Sequence, residues 1–169
     1  MAPNEIFAQM TPEVASEIFS FLFEHEKPLY KATIDALAKQ RNLRPVFVER
    51  KPRNERFAWM QTTLGRKNND GISAHLLQIW LVGAHAPLLC DFLDGLGIAH
   101  DENGTVESLP SAPSKEQLAS VIDGLFSKYN PGVVAVYLNA FQALDDEGGW
   151  PTLNEILAED SRLQLKAAA

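Results

Sequence analysis

The stretch Asp70–Gly97, DGISAHLLQIWLVGAHAPLLCDFLDGLG, decides the fold. Ile72, Leu76, Ile79, Trp80 and Gly83 recur at helical spacing, with Ala74, Leu77 and Leu81 beside them. Pro87 opens a second helix that turns Leu89, Phe92, Leu93 and Leu96 inward, and Gly95 and Gly97 end it. Weaker versions of this pattern, a helix, a break and a proline-led helix, lie on both sides of it.

Upstream, residues 1–10 read as a loose lead-in. Thr11-Pro12 supplies an N-cap and a proline at the first helical position, and Val14, Ile18, Phe21, Leu22 and His25 share one face. Pro28 starts a partner helix with Leu29, Thr33, Ile34 and Leu37 inward, so residues 11–40 form a helical hairpin. The helical period fails from Arg41, and Arg44–Val48 reads as a short strand or an extended connection because a proline disfavours helix in its predecessor. Lys51-Pro52 leads into a helix carrying Phe57, Met60 and Leu64, and Asp70 caps the next one. Downstream, residues 98–112 are loop-like, and Ser114 with Gln117 fits a capping box. Asn130-Pro131 caps a helix with Val133, Val134, Tyr137, Leu138 and Phe141, and Pro151 opens the last one. The tail after Leu165 is expected to fray.

Laid on itself at an offset of 61, the chain matches Pro52, Glu55, Ala58, Leu64, Lys67 and Asn69 with Pro113, Glu116, Ala119, Leu125, Lys128 and Asn130. Three residues later in offset, Pro87, Leu89 and Leu93 meet Pro151, Leu153 and Leu157, and the opening hairpin matches separately, with Pro28, Asp35 and Leu37 on Pro87, Asp94 and Leu96. The expected fold is therefore all-α: a half-unit at 11–40 and three-helix units at 52–97 and 113–160. These would stack into a single compact or short solenoid-like domain over residues 1–169, since one unit cannot bury its apolar face alone.

Charge is split along the chain. Between Lys27 and Lys67 stand eleven basic and three acidic residues, and the rest holds four basic and nineteen acidic ones. The best functional lead is the connection at residues 41–56, where Arg41, Arg44, Arg50, Lys51, Arg53 and Arg56 gather around a non-helical segment and a helix start. Guanidinium groups there add to the positive end of the helix instead of opposing it, which favours an anionic partner. The later unit has Pro113-Ser114-Lys115-Glu116 at this place, so the fold itself does not demand the charge. Neutralising the acidic remainder, or an ordinary solvated face, are the bland alternatives.

The other chemistry-bearing groups read as structural. Cys90 falls where the other copies have Lys31 and Asn154, which puts it outward beside Asp91 and Asp94, and those carboxylates would raise its pKa. His75 and His85 lie on one stripe about 15 Å apart, too far to share a metal. Glu24, His25 and Glu26 are helix neighbours that diverge by about 100° each. Asp145-Asp146-Glu147 lacks the alternating ligands of a calcium loop. No phosphate loop, nucleophile elbow or Glu-x-x-His pair occurs. A single cysteine allows neither an internal disulfide nor a cysteine-based zinc site.

The expectation is thus a non-catalytic interaction module with no cofactor and no metal. Its partner is an acidic protein or a small anionic ligand. A long nucleic acid is disfavoured by the net charge of −7. No apolar run approaches the roughly 20 residues of a membrane span, and MAPNEIFAQM lacks the order of a signal peptide, so the expected compartment is cytoplasmic. Two alternatives stand beside it. A small enzyme or ligand-binding protein would need a deep pocket near Glu24, His25 or His85. A homo-oligomer would pair basic and acidic ends of separate copies.

Overall fold

The structure is a computed structural model and describes residues 1–165; the expectation for the tail after Leu165 lies outside the described residues. All regular structure among the described residues is helical. The α-helices are α1 (Pro3–Gln9), α2 (Pro12–His25), α3 (Lys27–Gln40), α4 (Pro45–Glu49), α5 (Arg53–Leu64), α6 (Asp70–Gly83), α7 (Ala86–Gly95), α8 (Lys115–Lys128), α9 (Pro131–Ala143) and α10 (Pro151–Glu159). A 3₁₀ turn at Lys67–Asn69 precedes α6. No single described helix is long and apolar enough to cross a membrane. The chain divides into two compact units, Met1–Leu77 and Gln78–Leu165, and the division falls inside α6.

In the first unit α1 packs on α5, α2 on α3 and α5, and α4 on α3. The lead-in expected at residues 1–10 is in fact helix α1. Ile6, Phe7 and Met10 are buried, and the Glu5 carboxylate accepts the Ala2 N–H at 2.8 Å. Seven residues, about two turns, are too few for periodicity to announce it. The Phe7 ring stacks on Phe19 at 6.0 Å, and Phe19 meets Phe57 at 5.4 Å, which ties α1, α2 and α5 together. Gly65 follows α5 because a Cβ there would come within 3.0 Å of the Ala8 Cβ.

The end of α5 shows how the unit satisfies its backbone. Helix termini leave carbonyls without intrahelical partners. Here Asn69 Nδ2 donates to the Thr63 carbonyl at 2.8 Å, Ser73 Oγ to that of Leu64 at 3.0 Å, and Asn4 Nδ2 to that of Gly65 at 3.1 Å. Asp70, expected to cap α6, instead accepts the Asn4 N–H of α1 at 3.1 Å, since the 3₁₀ turn already leads into α6 with Asp70 in helical conformation.

In the second unit α9 is buried on all sides from Val133 to Ala140, which matches its nearly uniform apolar composition. Its cap is as expected: Asn130 Oδ1 accepts the N–H groups of Gly132 and Val133 at 2.9 and 3.3 Å. The buried Tyr137 hydroxyl donates to the Leu81 carbonyl at 3.2 Å, and burial raises its pKa. Helix α8 packs on α7 and α10. Gly95 lies so close to Val121 that a Cβ would come within 2.9 Å. Helix α7 stops as expected: Gly97 takes φ 70°, and the Ile98 N–H reaches the Leu93 carbonyl at 2.9 Å.

Several inward assignments shift. Leu88 is fully buried and Leu89 only half-buried, because Leu89 turns toward the loop backbone at Gly104. On α6 the buried face is Ser73, Leu76, Leu77, Trp80 and Leu81, while Gly83 is exposed. Half of the capping box forms: Ser114 Oγ accepts the Gln117 N–H at 3.2 Å, but the Gln117 side chain turns to the Leu96 carbonyl.

Candidate functional site

The basic connection is built differently from its sequence expectation. Arg44 does take the extended backbone that a following proline imposes (ψ 136°), yet it is the N-cap of α4 and not part of a strand. Pro45 occupies the first turn, where its missing N–H costs nothing, and Val46 to Glu49 complete a single helical turn. That turn buries only Val48.

The lead-in to α4 is equally specific. Helix α3 ends with Asn42 at φ 54°, and the Leu43 N–H reaches back to the Ala38 carbonyl at 2.9 Å. Asparagine tolerates this left-handed conformation better than most residues. The reversal carries Arg41, Leu43 and Arg44 out into solvent, where all three are exposed.

The six cations fall into two sets. Arg53 and Arg56 are tied to the body of the unit. Arg53 Nη2 donates to Ser20 Oγ at 2.8 Å, and its guanidinium lies 5.2 Å from the Phe57 ring and 5.9 Å from that of Phe23. Arg56 Nη1 donates to the Glu49 carbonyl at 3.1 Å and faces Phe57 at 6.0 Å. Arg56 thereby clamps the end of α4 to α5. Beneath them Tyr30 is buried, its pKa pushed up by burial and pulled down by Arg56 and Arg53. The Tyr30 hydroxyl and Arg56 Nε have no hydrogen-bond partner among the described residues.

Arg41, Arg44, Arg50 and Lys51 form the second set, of which Lys51 alone is half-buried. Among the described residues none of the six makes a salt bridge. The second unit is the opposite case. Its three cations are all paired: Lys115 with Glu159 at 2.6 Å, Lys128 with Asp91 at 2.6 Å, and Arg162 with Asp123 and Asp160 at 2.7 Å each.

One feature of the connection had no signal in the sequence. Phe47 is 57% exposed, Leu43 and Val46 38% each, and Phe23 of α2 42%. A five-residue helix has no period from which a buried face can be inferred, so Val46 and Phe47 read equally well as core.

The remaining candidates are placed as follows. Cys90 is half-buried with Sγ 3.7 Å from the Glu102 carbonyl, and its pKa is raised by burial and by Asp94, Asp91 and Asp101. His75 is exposed on α6. His85 is not on a continuous helical stripe, because it lies between α6 and α7 and caps the latter. Its ring stands edge-on to Trp80 at 4.9 Å and to Tyr137 at 6.3 Å, an aromatic contact and not a plain polar face. His25 is exposed beside Phe21, at 5.2 Å. Asp145 Oδ2 accepts the Gly149 N–H at 2.7 Å, so this carboxylate shapes its own loop. Among the described residues no group of three or more His, Cys, Asp or Glu side chains is arranged to hold a metal ion.

The first unit has a groove of about 610 Å³ lined by Phe7, Ala15, Phe57, Ala58 and Gln61. The second has a cleft of about 920 Å³ along the 98–112 loop, lined among others by His100, Asp101, Glu107 and Gln117. A smaller one of about 460 Å³ lies between Ser108–Ala112 and Asp145–Glu147. Glu24, His25 and His85 line none of these three. Comparison with protein-family models, curated proteins and solved structures finds no match for this chain.

Proposed function

We propose that this chain is a non-catalytic interaction module that recognises an acidic partner through the connection at residues 41–56. The observation that carries it is the set of exposed cations, Arg41, Arg44 and Arg50, which make no salt bridge among the described residues and are carried by a helical scaffold. Loops held by such a scaffold are the usual place for recognition. An arginine fork also meets a carboxylate with two parallel hydrogen bonds.

Retention on immobilised polyglutamate at physiological salt tests this. The wild-type chain is expected to be retained despite its net charge of −7, and the variant Arg41→Gln/Arg44→Gln/Arg50→Gln/Lys51→Gln is expected to run through. Equal behaviour of the two, with unchanged circular dichroism, refutes the proposal.

We also propose that the fold arose by repetition, with α5–α6–α7 and α8–α9–α10 as two copies and α2–α3 as a half-copy. The helix lengths run 12, 14 and 10 residues in the first copy and 14, 13 and 9 in the second, which supports it. Pro28, Pro87 and Pro151 each stand in the first turn of their helix, as equivalent positions should. Related sequences that retain one proline of a matched pair and freely lose the other would sink the repeat.

A further inference from the structure

Leu43 and Val46 are 38% exposed and Phe47 57%, within five positions of one another, so each keeps apolar surface in water that a partner could cover. Single exposed apolar residues need no explanation, but three close in the chain beside exposed cations are where apolar cover and charge can be recognised together. Arg41, Arg44 and Arg50 flank them in the chain, exposed and without salt bridges among the described residues.

We infer that the connection reads a segment of an acidic protein that also carries aliphatic or aromatic side chains. Those side chains cover Val46 and Phe47, and the carboxylates between them meet Arg41, Arg44 and Arg50. This inference rests on the interaction reading above and narrows it. Neither half suffices alone. Exposed ion pairs contribute little and fade in salt. An apolar contact of one helical turn is small and unselective. Together they give a buried anchor with a polar rim, the usual anatomy of an interface.

The same chemistry, basic and apolar, also suits an anionic lipid surface. Charge complementarity favours the protein segment. An extended anionic surface meets the field of the whole chain, whose net charge is −7. A compact acidic segment seated on the connection meets a local excess of charge, six basic residues against Glu49 and Glu55.

Three probes on the full chain at physiological salt decide the matter. They are a labelled peptide alternating Glu with Leu and Phe, polyglutamate of equal charge, and vesicles of anionic lipid. The mixed peptide is expected to bind about tenfold tighter than polyglutamate, a difference of about 1.4 kcal/mol. Both Val46→Ser/Phe47→Ser and Arg44→Gln/Arg50→Gln are expected to lose about that factor for the mixed peptide. The replaced side chains are exposed, so circular dichroism should be unchanged. Polyglutamate binding as tightly as the mixed peptide, with the serine variant indifferent, overturns this inference and leaves the basic connection standing. Failure of both peptides to bind overturns both readings. Vesicles bound in preference to the mixed peptide replace the protein partner with a lipid one.

Discussion

Both ring nitrogens of His100 face acceptors. Nδ1 lies 2.5 Å from the Asp101 carbonyl and Nε2 2.6 Å from the Asp94 carboxylate, so only the doubly protonated imidazolium donates to both. Its pKa is accordingly raised above the ordinary 6.5, first by the Asp101 carbonyl and then by Asp94. Asp101 stays ionised, held low by the Thr105 and Asn103 N–H groups, and Glu107 lines the same cleft. A group whose folded pKa is raised gives its full stabilisation below the unfolded value and loses it as pH climbs through the folded one. His100 thus fastens the 98–112 loop to α7 at mildly acidic pH and lets go above its raised pKa. Protection factors of the loop amides at Gly104 and Thr105, from hydrogen exchange at pH 6 and pH 8, should fall across that window. His100→Gln should abolish the difference. A wild-type loop equally protected at both values would show that the pair carries no pH dependence.

Helices led by a proline or a capping side chain were legible: α2, α3, α7, α9 and α10 begin within a residue or two of where their caps place them. Helices α1 and α4 were not, because seven and five residues are too few to display a period. The pre-proline rule acted at Arg44 as it should, but it marked a helix cap and not a strand. At the candidate site the cations could be counted from the sequence, whereas the exposure of Val46 and Phe47 depends on which way a single turn faces. Gln142 is the other hidden element. Buried on α9, it donates to the Trp150 carbonyl at 2.9 Å and accepts the Trp150 N–H at 3.0 Å, closing the 144–150 loop as a neighbouring strand would. Nothing in FQAL announces that role, since the partner is backbone. Gln142→Leu orphans two buried groups at about 1–3 kcal/mol each. For an overall loss of about 3 kcal/mol, the melting temperature should fall by roughly 6–12 °C. Gln117→Leu, which removes one 3.3 Å bond at the surface, should cost less than about 1 kcal/mol. Equal melting of the two variants would show that Gln142 does not hold the loop.

Charge separates the interaction reading from self-association for the protein as a whole. A chain whose first unit holds cations without salt bridges among the described residues, and whose second unit holds most of the carboxylates, has the opposite charges that a contact between copies needs. Such pairing rests on exposed charges, so it strengthens as the Debye length grows from about 8 Å at physiological salt to about 30 Å at 0.01 M. An acidic partner held partly by Val46 and Phe47 requires no such assembly, and net like charge on every copy opposes it. Light scattering should therefore give a mass near 18.7 kDa at both low and physiological salt. Arg41→Gln/Arg44→Gln/Arg50→Gln/Lys51→Gln should leave that mass unchanged while losing the acidic probes. A mass that doubles at low salt and reverts in this variant would mean that the connection's natural occupant is another copy of the chain, and the search for a separate acidic partner would end there.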